Sequence, residues 1–164
     1  MNLSELSTDE IVELYPQIIK ELKKREVIRT NNFIGELGEY IAINYYKNTP
    51  GLPTLLAAPI STKNIDAISN EGERYSIKTT SNNVTGVFYG LEPQGSSQPD
   101  KQKFEYAIIC SFDEDYSLKA IYEIDWEHFL IHKKWHSRMG AWNLTLTKST
   151  IADCKVIYQR DGQQ

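Results

Sequence analysis

Asp66 and Lys78 stand on two consecutive strand-like segments, Asn64-Ile65-Asp66-Ala67-Ile68 and Tyr75-Ser76-Ile77-Lys78, with eleven residues between them. A glutamate-bearing segment of helical pattern, Gly35-Glu36-Leu37-Gly38-Glu39-Tyr40-Ile41-Ala42, precedes both. Hard cations such as Mg²⁺ take oxygen ligands and keep several waters, so one to three carboxylates and a backbone carbonyl suffice for a catalytic centre. Asp66 supplies one carboxylate, and Glu39, with Glu36 as the alternate, supplies another from the helix. Strand alternation points Ser76 and Lys78 to one face and leaves the carbonyl of Ile77 along the strand edge as a further oxygen. Lys78 then positions or helps deprotonate a water and offsets charge on a phosphate as it becomes five-coordinate. Singly, these are a turn Asp, a solvated strand Lys and two surface glutamates. Their combination in this order favours a site.

The elements that must position these groups are legible from periodicity. Ser7-Thr8-Asp9-Glu10 has the form of a capping box, and Ile11, Leu14, Tyr15, Ile18, Ile19 and Leu22 follow at helical spacing, so residues 1–29 form an N-terminal helical arm. Pro16 falls inside that pattern and predicts a kink or a break into two short helices. A second helix is expected over Thr30 to Tyr46, burying Phe33, Leu37, Ile41 and Tyr45 and placing Glu36 and Glu39 on a neighbouring face. Leu55 to Ala58 reads as a short strand. Ile65 to Ser69 and Arg74 to Thr80 read as a hairpin about Asn70-Glu71-Gly72-Glu73. Strands are expected at Tyr106 to Ser111 and Ser117 to Ile124 across an acidic turn. Asp125 caps a helix over Trp126 to Lys134, and strands follow at Trp142 to Thr147 and Cys154 to Tyr158. The order is an α/β (α+β) layered protein, one domain over 1–164 with its core in 30–164. The long polar stretch Ser81 to Lys103 is expected to be a functional loop.

Composition limits the choice of function. The 164 residues are 40% hydrophobic and 24% charged, enough for one core, and no apolar run suits a membrane span. Acidic residues near Met1 replace a basic and apolar leader, which points to a cytoplasmic protein. Cys110 and Cys154 lack redox or metal spacing and are expected as free thiols. A net charge of -4 argues against a general nucleic-acid coating protein but leaves room for a nuclease, whose carboxylates lower the net charge.

Two polar groups suit contact with nucleic acid. His132, Lys133, Lys134, His136 and Arg138, with Trp135, form a local basic cluster for phosphates. That reading is preferred to a zinc site built on His128, His132 and His136, which lacks a further ligand at suitable spacing. Thr79, Thr80, Ser81, Asn82 and Asn83 can reach phosphates or base edges, and Asn82, Asn83, Gln94 and Gln98 are of types that read adenine.

Across Asn32 to Thr80, about a third of the chain, the sequence resembles the PD-(D/E)xK nuclease superfamily of restriction endonucleases and Holliday-junction resolvases. Gly38-Glu39-Tyr40-Ile41-Ala42 fits that family's Gly-Glu-x-x-Ala helix, Asp66 its aspartate, and Ser76-Ile77-Lys78 its acid-x-Lys strand. Ile65 stands where the name-giving proline would be, and Ser76 where an acid is usual. Some restriction enzymes of the superfamily share Ser-x-Lys and draw the missing acid from elsewhere, for which Glu36, Glu39 and Glu92 are the candidates here. The resemblance implies a restriction-endonuclease-like central mixed β-sheet flanked by helices and Mg²⁺-dependent phosphodiester hydrolysis, with Mn²⁺ as a substitute cation. Asp66 and Glu39 would be metal ligands and Lys78 the catalytic lysine. The expected function is a type II restriction endonuclease acting on double-stranded DNA, most simply as a homodimer joined by the N-terminal arm or the C-terminal strands. The alternatives are a catalytically inactive DNA- or protein-binding module, a junction resolvase and an RNase.

Overall fold

The computed structural model describes residues 2–30, 32–60 and 62–161. In chain order the elements are α1 (Thr8–Lys24), α2 (Phe33–Asn48), β1 (Leu55–Ala57), β2 (Ala67–Ser69), β3 (Arg74–Thr80), β4 (Tyr106–Phe112), β5 (Leu118–Asp125), α3 (Trp126–His132), β6 (Lys134–His136), β7 (Ala141–Asn143), α4 (Lys148–Ala152) and β8 (Lys155–Gln159). The result is a mixed α+β architecture.

Ser7 starts α1 with a reciprocal cap: its hydroxyl accepts the Glu10 N–H, and the Glu10 carboxylate accepts the Ser7 N–H at 2.8 Å. The helix runs unbroken through Pro16, so of the two outcomes expected there the division into two short helices does not occur. Asp9 and Glu10 in the first turn and Lys23 and Lys24 in the last complement the helix dipole and help carry the missing amide.

In α2 the predicted stripe is displaced. Phe33, Leu37, Ile41 and Tyr45 stay partly exposed, while Gly38, Ala42 and Tyr46 face the sheet with Glu36 beside them. The reason is steric. A Cβ at Gly38 would stand 2.2 Å from the Thr79 methyl, so the small residues of the adjacent stripe allow the closer approach. The first predicted turn, Thr30 to Asn32, lies ahead of the helix, and its Asn31 falls outside the described residues.

Six strands form one sheet in the order β1-β2-β3-β4-β5-β8, with β3 and β4 parallel and the other neighbours antiparallel. The β2–β3 hairpin is the predicted one. Ser69 fixes its turn by accepting the N–H groups of Glu71 and Glu73, and Gly72 takes φ +87°. The α2 face buries Tyr46, Tyr75, Ile77, Ile108, Cys110 and Ile121. The opposite face buries Phe88, Phe104, Ile109, Tyr122, Phe129 and Leu144 beneath residues 81–105, α3 and the β6–β7 ribbon.

Residues 81–105 cross from β3 to the parallel β4 as irregular chain, held by bridges from Val84 to Thr145 and from Phe88 to Trp142. An irregular segment of the chain, the expected loop, therefore does the covering that a helix commonly does between parallel strands. Further along, α3 stops at His132 because Lys134 to His136 joins a strand pair, and the strand expected at Trp142 to Thr147 shortens to β7. The unpredicted α4 has a readable start signal in Thr147, whose side chain accepts the Thr150 N–H. Both cysteines are free thiols, with Cys110 buried and Cys154 half-buried. Among the described residues no helix is long and apolar enough to cross a membrane.

Candidate active site

The site forms where β2 ends and β3 continues. Asp66 directly precedes β2, and its backbone is held from both sides: its N–H donates to the Tyr75 carbonyl at 2.8 Å and its carbonyl accepts the Ala58 N–H at 2.9 Å. The side chain then turns onto the open edge of β3. One oxygen, Oδ2, accepts the Ile77 N–H at 2.6 Å and the Ser76 hydroxyl at 3.3 Å. A strand residue presents its N–H and carbonyl to the same edge, so the Ile77 carbonyl shares the edge at which Asp66 stands.

Two clefts meet at Asp66. One of about 190 Å³ contains Glu36, Glu39, Arg29 and Thr62, and the other of about 110 Å³ contains Asn64, Ser76, Lys78, Tyr89 and Phe104. The glutamates approach from the α2 face and the lysine from the opposite one, as strand alternation requires, since Tyr75 and Ile77 pack toward α2. Lys78 Nζ lies 5.3 Å from the centroid of the buried Phe88 ring, a cation–π contact that fixes the ammonium at the cleft wall. A larger cleft, about 640 Å³, lies by Asp113 and Arg160 and includes none of the predicted site residues.

The two helix glutamates differ. Glu36 is buried, and its Oε2 accepts the backbone N–H groups of Arg29 and Thr30 at 2.7 and 2.8 Å. It ties the connection between α1 and α2 in place. Among the described residues Glu39 has no such amide partners; the Arg29 guanidinium lies 3.7 Å from it and 3.8 Å from Glu36. Burial and the negative charge of Asp66 push the Glu39 carboxyl up to about 7, Glu36 adding to the effect while Arg29 and Lys78 oppose it. A carboxyl so raised beside other acids is where a cation does most good.

Gly38 explains how the helix brings Glu39 there. It permits contact with Thr79 one residue past Lys78, and the buried Cys110 thiol donates to its carbonyl at 3.5 Å. Gly38→Ala is expected to cost about 1–3 kcal/mol through overpacking, and Thr79→Ser, which removes the offending methyl, to recover most of it. Urea unfolding of the two single variants and the double variant measures this; additive losses would rule out the contact as the cause.

The other predicted residues are more dispersed. Thr80 is buried and Thr79 packs against α2, while Asn82 folds back, its carbonyl oxygen accepting the Val84 N–H at 3.2 Å. Ser81, Asn82 and Asn83 are exposed, and Asn83 takes φ +67°. In the basic cluster Lys133 is neutralised by Asp100 and lies 4.1 Å over the Trp142 ring, and His132 bonds Asp153 at 2.6 Å. Lys134 and Arg138 are left toward solvent, His136 is half-buried and accepts the Met139 N–H at its Nδ1, and His128 is engaged by Asp125. Glu92 accepts the Ser96 hydroxyl at 3.0 Å and lines neither cleft at Asp66. Arg29, Asn64 and Phe88 enter the site without being expected from sequence. For Arg29 the available signal was a lone cation directly ahead of the glutamate helix.

Among the described residues no three His, Cys, Asp or Glu side chains stand close enough to form a metal shell by themselves. Mg²⁺ requires only one or two carboxylates when water and phosphate oxygens complete its octahedron, and Asp66 and Glu39, which line one cleft, are donors of the kind that ion takes. Comparison of the chain with protein-family models and with curated proteins yields no match.

Proposed function

We propose that this protein is a Mg²⁺-dependent DNA endonuclease with the restriction-endonuclease-like fold, of type II restriction kind. The observation that carries the reading is the position of Asp66 at the open edge of β3, where the cleft that holds Glu39 and the cleft that holds Lys78 both reach it. The mixed sheet with α2 beside it supports the same reading. Asp66 and Glu39 would hold the cation with the Ile77 carbonyl, and Mn²⁺ would substitute. Bound there, the cation supplies positive charge to a phosphate and lowers the pKa of water.

Each residue has a distinct task. Ser76, nearly inaccessible to solvent, occupies the acid's place in the motif and orients Asp66 through its hydroxyl, so the second carboxylate comes from Glu39. Glu36 is engaged by two amides and stabilises the segment that carries Arg29. Lys78 directs its ammonium at the developing charge of the phosphate and at the attacking water. The exposed Ser81, Asn82, Asn83, Lys134 and Arg138, with the half-buried His136, would be the groups available to backbone and bases of double-stranded DNA.

Metal-dependent cleavage of plasmid, phage DNA, single strands, branched DNA and RNA tests the proposal, with calorimetric Mg²⁺ and Mn²⁺ titration of wild type and Asp66→Ala alongside. Discrete duplex fragments, with metal binding weakened by about 10-fold or more in Asp66→Ala, are expected. Cleavage confined to branched DNA or RNA would replace the substrate. One observation, Ser76 in place of an acid, favours a second reading in which the protein binds DNA without cutting it. A DNA shift with neither cleavage nor metal binding would establish that one.

A further inference from the structure

Tyr89 lines the cleft that holds Lys78 and Asp66, and the hydrolytic site described above gives it no task. It is 55% exposed, although Phe88 beside it is buried. The segment that carries it is anchored on both sides. The Phe88 N–H donates to the Trp142 carbonyl at 2.6 Å, and the Phe88 ring packs on Phe129 and Phe104 at centroid distances of 4.7 and 5.7 Å. The same ring carries the Lys78 ammonium at 5.3 Å. After Tyr89, Gly90 takes φ +76°, and a Cβ there would stand 2.8 Å from Asn64 Nδ2, so glycine lets the chain close on Asn64. An aromatic side chain is thus held at the mouth of the cleft, next to the cation that would meet phosphate.

Asn64 adds a polar group to the same cleft. Its backbone is left-handed, with φ +64°, a conformation that asparagine takes more readily than most side chains but that still costs energy. Among the described residues its amide has no hydrogen-bond partner, and no buried side-chain polar atom lacks one, so the amide is open to solvent. An aromatic ring, an unspent amide and an ammonium side by side match the face of a base, its edge and the adjoining phosphate.

We infer that Tyr89 and Asn64 form a subsite for one unstacked nucleobase, Tyr89 stacking on its face and Asn64 bonding its edge while Lys78 meets the phosphate beside it. In a paired duplex the faces of each base are covered by its neighbours, so the subsite takes a base from a single strand or one extruded from a duplex. At about 110 Å³ the cleft is far smaller than the roughly 300 Å³ of an enclosing pocket, which puts the base over Tyr89 at the mouth. The inference rests on the nucleic-acid reading of the Asp66 site and narrows its substrate to a nucleotide that is unstacked when bound.

Fluorescence anisotropy tests it with a labelled single strand of about 12 nucleotides, and with the same strand in a duplex, perfectly paired or carrying one mismatch. Binding is measured in Ca²⁺, a hard cation for oxygen ligands, and separately in EDTA, so that it is read apart from cleavage. Tyr89→Ala is expected to weaken single-strand binding about 10-fold or more, and Tyr89→Phe, which keeps the ring, to restore it. Asn64→Gly keeps the backbone conformation and should cost less than the loss of the ring. The salt dependence of Tyr89→Ala should keep the wild-type slope, since no phosphate contact is removed, and its thermal unfolding should not move, since the side chain is exposed. An abasic site moved along the strand should weaken wild type about 10-fold at one or two positions and Tyr89→Ala no further there. Tyr89-dependent duplex binding that a mismatch tightens would identify an extruded base as the source, and Tyr89-dependent binding of the single strand alone an unpaired strand. Wild type indifferent to the abasic site at every position, or Tyr89→Ala binding as tightly as wild type, would overturn the subsite and leave the nuclease reading standing. Wild type that binds none of these probes in either condition would overturn both.

Discussion

Lys78→Ala is expected to reduce metal-dependent cleavage by at least about 10²–10³-fold while leaving metal binding intact, because an ammonium aimed at the developing phosphate charge acts mainly in the transition state. Little stability should be lost. Lys78 is only partly buried, and its contact with Phe88 contributes about 1 kcal/mol. Removing a cation that opposes the elevated Glu39 carboxyl leaves the acidic cluster with a greater need for Mg²⁺, so metal affinity should hold or rise slightly. Lys78→Arg is not a safe replacement, since a guanidinium can stack on the Phe88 ring but spreads its charge over a rigid planar fork in place of the compact ammonium. Single-turnover cleavage with a parallel calorimetric titration separates the effects, and retention of wild-type cleavage by Lys78→Ala would remove the lysine from the chemistry.

Glu39→Gln is expected to stabilise the metal-free protein at neutral pH and to abolish its response to metal. The sign follows from proton linkage. Between about pH 4.5 and 7 the folded protein retains a proton on Glu39 that the unfolded chain has released, so raising the pH through this interval lowers stability. Above it both states are ionised and the loss is constant. Partial exposure and screening reduce the effect, so Glu39→Gln should exceed wild type by about 1–2 kcal/mol at pH 8 and match it near pH 4. Mg²⁺ at pH 8 should raise the unfolding midpoint of wild type and not of the variant. In wild type, metal affinity should fall about tenfold for each pH unit below 7, as a proton competes for the carboxylate. Urea unfolding across pH, with and without Mg²⁺, measures all of this. A variant less stable than wild type at pH 8 would show that Glu39 is held by favourable contacts and is not a strained acid awaiting a cation.

A glutamate kept at a stability cost beside two further acids is the kind of local conflict that functional sites carry. Arg29 limits the conflict in the absence of a cation, standing between 3.7 and 3.8 Å from both helix glutamates. That contact is long enough for the guanidinium to yield Glu39 without breaking a close hydrogen bond.

Local chemistry made part of this protein legible in one dimension. The α1 cap, the β2–β3 hairpin and the residues of β3 all follow from near neighbours: Ser7 and Glu10 meet within one turn, Gly72 closes four residues, and alternation assigns Ser76 and Lys78 to one face. The order glutamate helix, Asp66, Lys78 could likewise be read as a candidate constellation. Which glutamate is free could not. Glu36 and Glu39 are three residues apart on the same helix, and they differ because the chain returning from α1 presents two backbone amides to Glu36 and, among the described residues, none to Glu39. The buried stripe of α2 was misread for a similar reason, since the decisive dimension was the close approach of Gly38 to Thr79 on a distant strand. Lys133 appeared basic and available in the sequence, yet Asp100 neutralises it from the long loop. The sequence by itself determined the elements, whose signals are hydrogen bonds and side-chain periods within a few residues. Only the tertiary structure decided which polar groups satisfy one another and which remain open, because burial and ion pairing depend on segments that meet in space from distant parts of the chain.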